Sequence, residues 1–346
     1  MRLVGRRGCC SAVGTLLLSL ACSRSPGEAE ASASLSAARQ AGDTRRVSEP
    51  ILPLRAPAAQ DARLVRLGER LFKDPVLSRD GSVACSSCHD LGAGGDDGRV
   101  HSRGVGGKEG AVNAPSVFNA ALNLAQFWDG RAATLEDQID GPVTHPLEMA
   151  SAWNDVERTL QANPEYAGGF QAALGAKPSR ATIKAAIAAF ERTLISVGAP
   201  FDLWLDGDQQ ALTAEQREGY QLFKAAGCIA CHQGQNVGGN MYQRFGLFGD
   251  YFADRGNVTQ ADAGRFNVTG QETDRYVFRV PSLRNVELTA PYFHDGSAPT
   301  LTDAVRVMAK YQLGKELSEQ QISQLVEFLK TLTAPRKEAL ASANGG

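Results

Sequence analysis

The chain has 346 residues, enough for about two domains at roughly 150 residues each. Apolar residues make up 43% and charged residues 21%, which excludes a disordered chain and a polytopic membrane protein. With 36 Lys and Arg against 38 Asp and Glu the formal net charge is −2, so the basic footprint of a nucleic-acid binder is absent.

Arg2, Arg6 and Arg7 precede a short apolar stretch, Ala12 to Ala21, broken by Gly14, Thr15 and Ser19. A spanning helix needs about 20 apolar residues, so residues 1–22 are expected to be a secretory signal peptide and the mature protein to be periplasmic. Ser19-Leu20-Ala21-Cys22 resembles a lipoprotein cleavage site, although such sites prefer an aliphatic residue where Ser19 stands. A lipid anchor on Cys22 and ordinary signal cleavage are both compatible with it. Arg6-Arg7 lacks the rest of a twin-arginine signal. Residues 23–60, rich in Ala, Ser, Pro and Arg without a period, are expected to form a flexible linker, with order beginning near Asp61.

Leu64, Leu67, Leu71 and Phe72 have helical spacing, and Leu71-Phe72-Lys73 leads into Cys85-Ser86-Ser87-Cys88-His89. The pattern returns: a Thr213-x-x-Gln216 capping box opens a helix through Leu222-Phe223-Lys224 into Cys228-Ile229-Ala230-Cys231-His232. C-x-x-C-H is the attachment pattern of c-type haem, in which both thiols form thioethers and the adjacent His reaches the iron. Zinc would need the pairs roughly 15 to 20 residues apart. A thioredoxin-like pair needs no following His, and disulfides rarely bridge so short a loop twice. The reading is therefore two haem groups, one in each of two related modules.

Ile183, Ile187, Phe190 and Leu194 line one face of a helix over 181–195, and Ile322, Leu325, Val326 and Leu329 line another behind Ser318-x-x-Gln321. Strand alternation is almost absent. The Gly-rich polar segments 92–110 and 233–275 are too long for simple connections and are expected to be functional loops over the haems. The glycines of 104–110 match neither a dinucleotide fingerprint nor a phosphate cradle. The expected fold is mainly α: two cytochrome c-like haem domains, 61–200 and 201–335, with long Gly-rich loops, a join near Pro200, and a tail at 336–346.

Around these motifs stand Asn113-Ala114-Pro115-Ser116, Gln126-Phe127-Trp128-Asp129-Gly130-Arg131-Ala132, Glu148-Met149, Pro281-Ser282-Leu283-Arg284-Asn285 and Pro291-Tyr292-Phe293-His294-Asp295-Gly296-Ser297. In these strings the chain, from about Leu67 to Leu332, resembles the bacterial di-haem cytochrome c peroxidase family. The resemblance implies reduction of hydrogen peroxide to two waters, with electrons from a small cytochrome c or cupredoxin. It further implies a peroxidatic haem held by Cys85, Cys88 and His89, and a higher-potential, electron-receiving haem held by Cys228, Cys231 and His232. Met308, fourteen residues after His294, matches the family's distal ligand on the second haem, where a thioether raises the iron potential; His294 is read as structural.

By the same resemblance Glu148 and Gln138 are the catalytic pair above the first haem. A carboxylate there moves a proton between the peroxide oxygens, and an amide orients the peroxide. Trp128 corresponds to the tryptophan between the haems. Asn113, Thr289 and Pro291 match positions that bind one calcium ion, the latter two through backbone carbonyls, and oxygen ligands suit that cation. Relatives commonly dimerise, which makes a homodimer an expectation here. The pattern breaks at Ser102-Arg103-Gly104-Val105, where many members carry a His that caps the resting first haem. Val105 cannot ligate iron, so the first site is expected to rest open, the alternative being ligation by His101. Two rivals are a di-haem oxidase acting on a protein, which has Tyr where Met308 stands, and a plain di-haem electron carrier, which needs no Glu148 or Gln138.

Overall fold

A computed structural model describes residues 49–335; the leader, Cys22, most of the expected linker and the tail lie outside the described residues. Helix α1 (Ala62–Lys73) is capped by Asp61, whose side chain accepts from Arg63 and Leu64 N–H groups. Five further helices follow: α2 (Leu135–Thr144), α3 (Trp153–Ala162), α4 (Pro164–Leu174), α5 (Arg180–Glu191) and α6 (Pro200–Leu205). The second module carries α7 (Ala214–Ala226), α8 (Tyr251–Arg255), α9 (Phe266–Thr269), α10 (Leu301–Leu313) and α11 (Glu319–Lys330). Strands β1 (Tyr242–Arg244) and β2 (Val277–Arg279) pair antiparallel, so the expectation of a mainly helical chain holds. Both expected capping boxes are present, at Thr213–Gln216 and Ser318–Gln321. Helix α5 ends at Glu191, short of the expected 195, and Leu194 is buried in the turn after it.

The internal repeat has a physical basis at two helix crossings. Gly68 of α1 lies where a Cβ would stand 1.9 Å from the Ala186 carbonyl of α5 and 2.9 Å from Phe190. Gly219 of α7 lies where a Cβ would stand 2.0 Å from the Gln324 carbonyl of α11 and 2.9 Å from Phe328. Each glycine stands three residues before Leu-Phe-Lys, so in both modules the helix that leads to C-x-x-C-H crosses a later helix at a point with no room for a side chain. Gly219→Val is expected to destabilise the protein by about 1–3 kcal/mol through overpacking against backbone. Gly168→Ala, at a helical site with nothing within 4 Å, should stabilise by about 0.5–1 kcal/mol. Equal melting temperatures for the two variants would contradict this.

Two expectations require correction. Residues 49–60 are not flexible linker: Ile51 and Leu54 are 0% and 4% exposed, and Ile51 packs with Phe201, Tyr220 and Phe328. The strap is tied by Leu54 N–H donating to Asp202 (3.1 Å), by Arg284 donating to the Leu52 carbonyl (3.2 Å) and by Tyr220 with Glu49. Burying two aliphatic side chains and satisfying the backbone there offsets the entropy of ordering the segment. Nor is 233–275 only loop, since it contains β1, α8 and α9, and Phe245, Tyr251 and Phe252 join Phe278 and Tyr311 in an aromatic cluster. That cluster supports Trp128, Phe293 and Met308.

Candidate active site

Cys85 opens a 3-10 turn, Cys85–Ser87, and His89 follows with its Nδ1–H donating to the Gly95 carbonyl at 3.1 Å. That bond fixes the tautomer and leaves Nε2 with its lone pair for a metal. Burial lowers the His89 imidazole's proton affinity, which favours the neutral ring that can ligate a metal. The second motif repeats the geometry, a 3-10 turn at Cys228–Ala230 directly after α7. Burial pushes the His232 imidazole down to about 4. Burial also pushes the Cys85 and Cys228 thiols up to about 12 and about 11. Such sites disfavour the thiolate that zinc or redox exchange requires but accommodate an uncharged thioether.

A cavity of about 470 Å³ lies at the second motif, lined by Cys228, Cys231, His232 and, from α10, Met308. Trp128, Asn113, Thr289, Pro291 and His294 line it as well. The Trp128 indole N–H donates to the Asn113 carbonyl (2.9 Å), and the Asn113 N–H donates to the His294 carbonyl (2.8 Å). Trp128 is thereby fixed between a segment of the first module and one of the second. Asn113 is buried and its Nδ2 donates to the Arg99 carbonyl at 2.7 Å, leaving Oδ1 for a cation. His294 is buried and its Nε2 meets Asp262 at 2.7 Å, the structural role expected of it. Burial alone would raise the Asp262 carboxyl, but hydrogen bonds from His294 and Arg255 hold it well below the ordinary range.

Glu148 lies in the turn after α2. Its carbonyl accepts from Val105 N–H (2.8 Å), and a Cβ at Gly104 would stand 2.1 Å from the Leu147 carbonyl. The 102–110 loop and the Glu148 turn are thus locked together through backbone. Burial raises the Glu148 carboxyl above the ordinary glutamate value, while His145 and Arg131 act to lower it. The side chain keeps 41% exposure, so solvent reaches the carboxyl even as surrounding backbone desolvates it. Cys88 registers the proximity: its thiol is pushed up first by burial and then, among the charges, by Asp97 and Glu148.

Gln138 is half-buried on α2, and no hydrogen bond joins it to Glu148 among the described residues. Phe127 packs against α2, where a Gly141 Cβ would be 2.7 Å from its ring, with the Arg131 guanidinium 3.5 Å above the ring centroid. Val105 is buried in the first module's core, and His101 is turned to Glu109 at 3.3 Å.

A family model described as di-haem cytochrome c peroxidase matches residues 62–210, and one described as cytochrome c matches 216–333. The chain is 45% identical to the cytochrome c551 peroxidase of Nitrosomonas europaea, over 84% of this chain and 86% of that one. The chain belongs to the di-haem cytochrome c peroxidase family. It is also 48% identical to the cytochrome c peroxidase Ccp of Escherichia coli, over 82% of this chain and 61% of that one. A solved MauG-like protein associated with microbial copper homeostasis has a TM-score of 0.71 at 31% identity, covering 82% of this chain and 94% of that one.

As a di-haem peroxidase with two cytochrome c domains, the chain should offer sites fit for haem, and the surroundings of the second motif do so. The His232 Nδ1 is buried with no hydrogen-bond partner, the nearest backbone acting on it being that of Val237 and Pro281. Arg279 is 4% exposed and lines the same cavity, with its Nε donating to the Phe127 carbonyl at 3.3 Å. No carboxylate pairs with it among the described residues. Burial pushes it down to about 10, the signature of a buried cation whose counter-charge comes from what fills the cavity. A haem brings carboxylates of that kind.

Arg279, Phe127, His145 and Asp96 escaped the reading of the sequence. Asp96 is a buried carboxyl, pushed up to about 6 by burial, whose Oδ1 lies with the Leu288 carbonyl and Thr289 around Gly94. The only signals in the sequence were the Gly-Gly-Asp-Asp-Gly run for Asp96 and the spacing of His145 three residues before Glu148.

Proposed function

We propose that this protein reduces hydrogen peroxide to two waters at the first motif, drawing two electrons through the second from a small cytochrome c or cupredoxin. The observation that carries the reading is Glu148: a carboxyl with raised proton affinity, reached by solvent and close enough to Cys88 to act on its thiol. Haem c groups attached at Cys85, Cys88, Cys228 and Cys231 would supply the electron-transfer chemistry, with His89, His232 and Met308 as iron ligands. Glu148 takes the proton from one peroxide oxygen and returns it to the other, so that water leaves. Gln138 orients the peroxide through its amide, and Trp128, held by Asn113, bridges the two modules.

The first site rests open: Val105 has no ligating atom and is buried in the core, and His101 is engaged by Glu109. One calcium ion is proposed at Asn113 Oδ1 and the carbonyls of Thr289 and Pro291, with Asp96 near enough to balance its charge. The leader sequence supports export to the periplasm, with lipidation of Cys22 and a homodimer as further parts of the proposal. The test is stoichiometry. Two equivalents of reduced cytochrome c should be oxidised per hydrogen peroxide consumed, and no peroxide-dependent oxidation would reject the function.

A further inference from the structure

We propose that His145 is the proton relay between solvent and Glu148. The inference deepens the peroxidase reading and rests on Glu148 being its acid–base group. Reduction of one hydrogen peroxide by two electrons takes up two protons, and both must come from solvent.

His145 closes α2, with its N–H donating to the Gly141 carbonyl at 2.9 Å. Its own carbonyl accepts from the N–H groups of Glu148 and Ala150, both at 3.0 Å. These three bonds hold the imidazole and the carboxylate in one rigid turn, with His145 Nδ1 3.5 Å from Glu148 Oε1. The two side chains are 45% and 41% exposed, so solvent reaches the imidazole as well as the carboxylate.

The same nitrogen has a second partner, the Leu147 N–H at 3.4 Å. These two contacts serve different protonation states. An imidazolium uses Nδ1–H to donate to Glu148; a neutral ring with its proton on Nε2 uses the Nδ1 lone pair to accept from Leu147. One transfer moves a proton from Nδ1 to Oε1, leaving a neutral imidazole and a neutral carboxylic acid. That leaves Nδ1 as the ring's free site, where it regains a proton from hydronium or a buffer acid, and no electrons move.

The neighbouring charged groups are otherwise committed. Arg131 is paired with Asp129 at 3.0 Å and stacks on Phe127. The Lys108 amine donates to the Pro146 carbonyl at 3.5 Å, and His101 is paired with Glu109. On α2, Asp140 is held by Lys184 and Arg180, and Glu136 by Arg192. Cys88, joined to haem as a thioether in the proposed di-haem protein, has no proton to give. Of the titratable and charged groups around it, His145 is thus the one in contact with the Glu148 carboxylate, and it supplements the solvent that reaches that carboxyl directly.

The test measures kcat and KM for hydrogen peroxide across pH 5–9 in the full-length di-haem protein, in H145A, H145N and E148Q, with haem content checked by absorbance. For H145A and H145N, kcat is expected to fall about tenfold to a hundredfold, at or below the low end of general acid–base effects, with KM unchanged. The pH profile of kcat should also differ from that of the wild type in both. Added imidazole should restore H145A, because the position is exposed. H145A and H145N with wild-type kcat and pH profile, beside an inactive E148Q, would overturn the relay while leaving Glu148 in place. A loss in H145A that imidazole does not restore, with H145N near wild type, would assign His145 a structural role. An active E148Q would remove Glu148 itself and the relay with it.

Discussion

Replacing Glu148 with Ala is expected to lower peroxide turnover by about 10²–10⁴-fold while both haems stay attached, the range that a positioned acid–base group contributes. The structure separates these two effects. Attachment depends on Cys85, Cys88, Cys228 and Cys231, whereas Glu148 is held in its turn by backbone alone, through Val105 N–H on its carbonyl and its own N–H on His145. Its side chain has one titratable neighbour in contact, His145 at 3.5 Å, and is 41% exposed, so truncation creates little cavity and leaves little unpaired. A variant with normal haem absorbance and melting temperature but almost no turnover is the expected combination. Full activity would take Glu148 out of the mechanism.

Met308→His is expected to lower the midpoint potential of the second haem by a sizeable part of the ~0.8 V range that axial ligands span, and to slow electron uptake from the donor. Met308 lies on α10, which Thr300 caps at its start and Gly314 ends in the left-handed conformation. It lines the 470 Å³ cavity together with His232 and is supported by the cluster of Phe245, Tyr251 and Tyr311. An imidazole presented from the same position is a stronger donor to oxidised iron than a thioether, so the oxidised form gains stability. An unchanged potentiometric titration would show that Met308 is no ligand. The Met also separates this chain from the protein-oxidising rival, in which Tyr is expected at that position.

Both C-x-x-C-H motifs and helices α1, α5, α7 and α11 were legible in the sequence because apolar spacing and capping residues are local signals. Helices α2 to α4 gave weaker signals. They run 10 or 11 residues, with Pro142 inside α2 and Gly168-Gly169 inside α4. The strap of residues 49–60 was misread because Ile51 and Leu54 have no periodic context, and their partners Phe201 and Asp202 lie about 150 residues further on. Arg279 and His145 were missed for another reason. An arginine that ends a strand and a histidine that ends a helix look ordinary until the fold buries one beside a cavity and sets the other against Glu148. Glu148 and Gln138, by contrast, were identified by register to Trp128 through the family resemblance, since their residue types alone are common on surfaces.

The most direct measurement of the central claim is hydrogen peroxide turnover with a reduced small cytochrome c under rapid mixing, started from the fully oxidised protein and from protein reduced by one electron at the second haem. Equal activity without a lag is the expected result for a peroxidase whose first site is open at Val105. Activity confined to the pre-reduced form would mean that a ligand must first leave, with His101 the first suspect, and inactivity in both forms would contradict the peroxidase assignment.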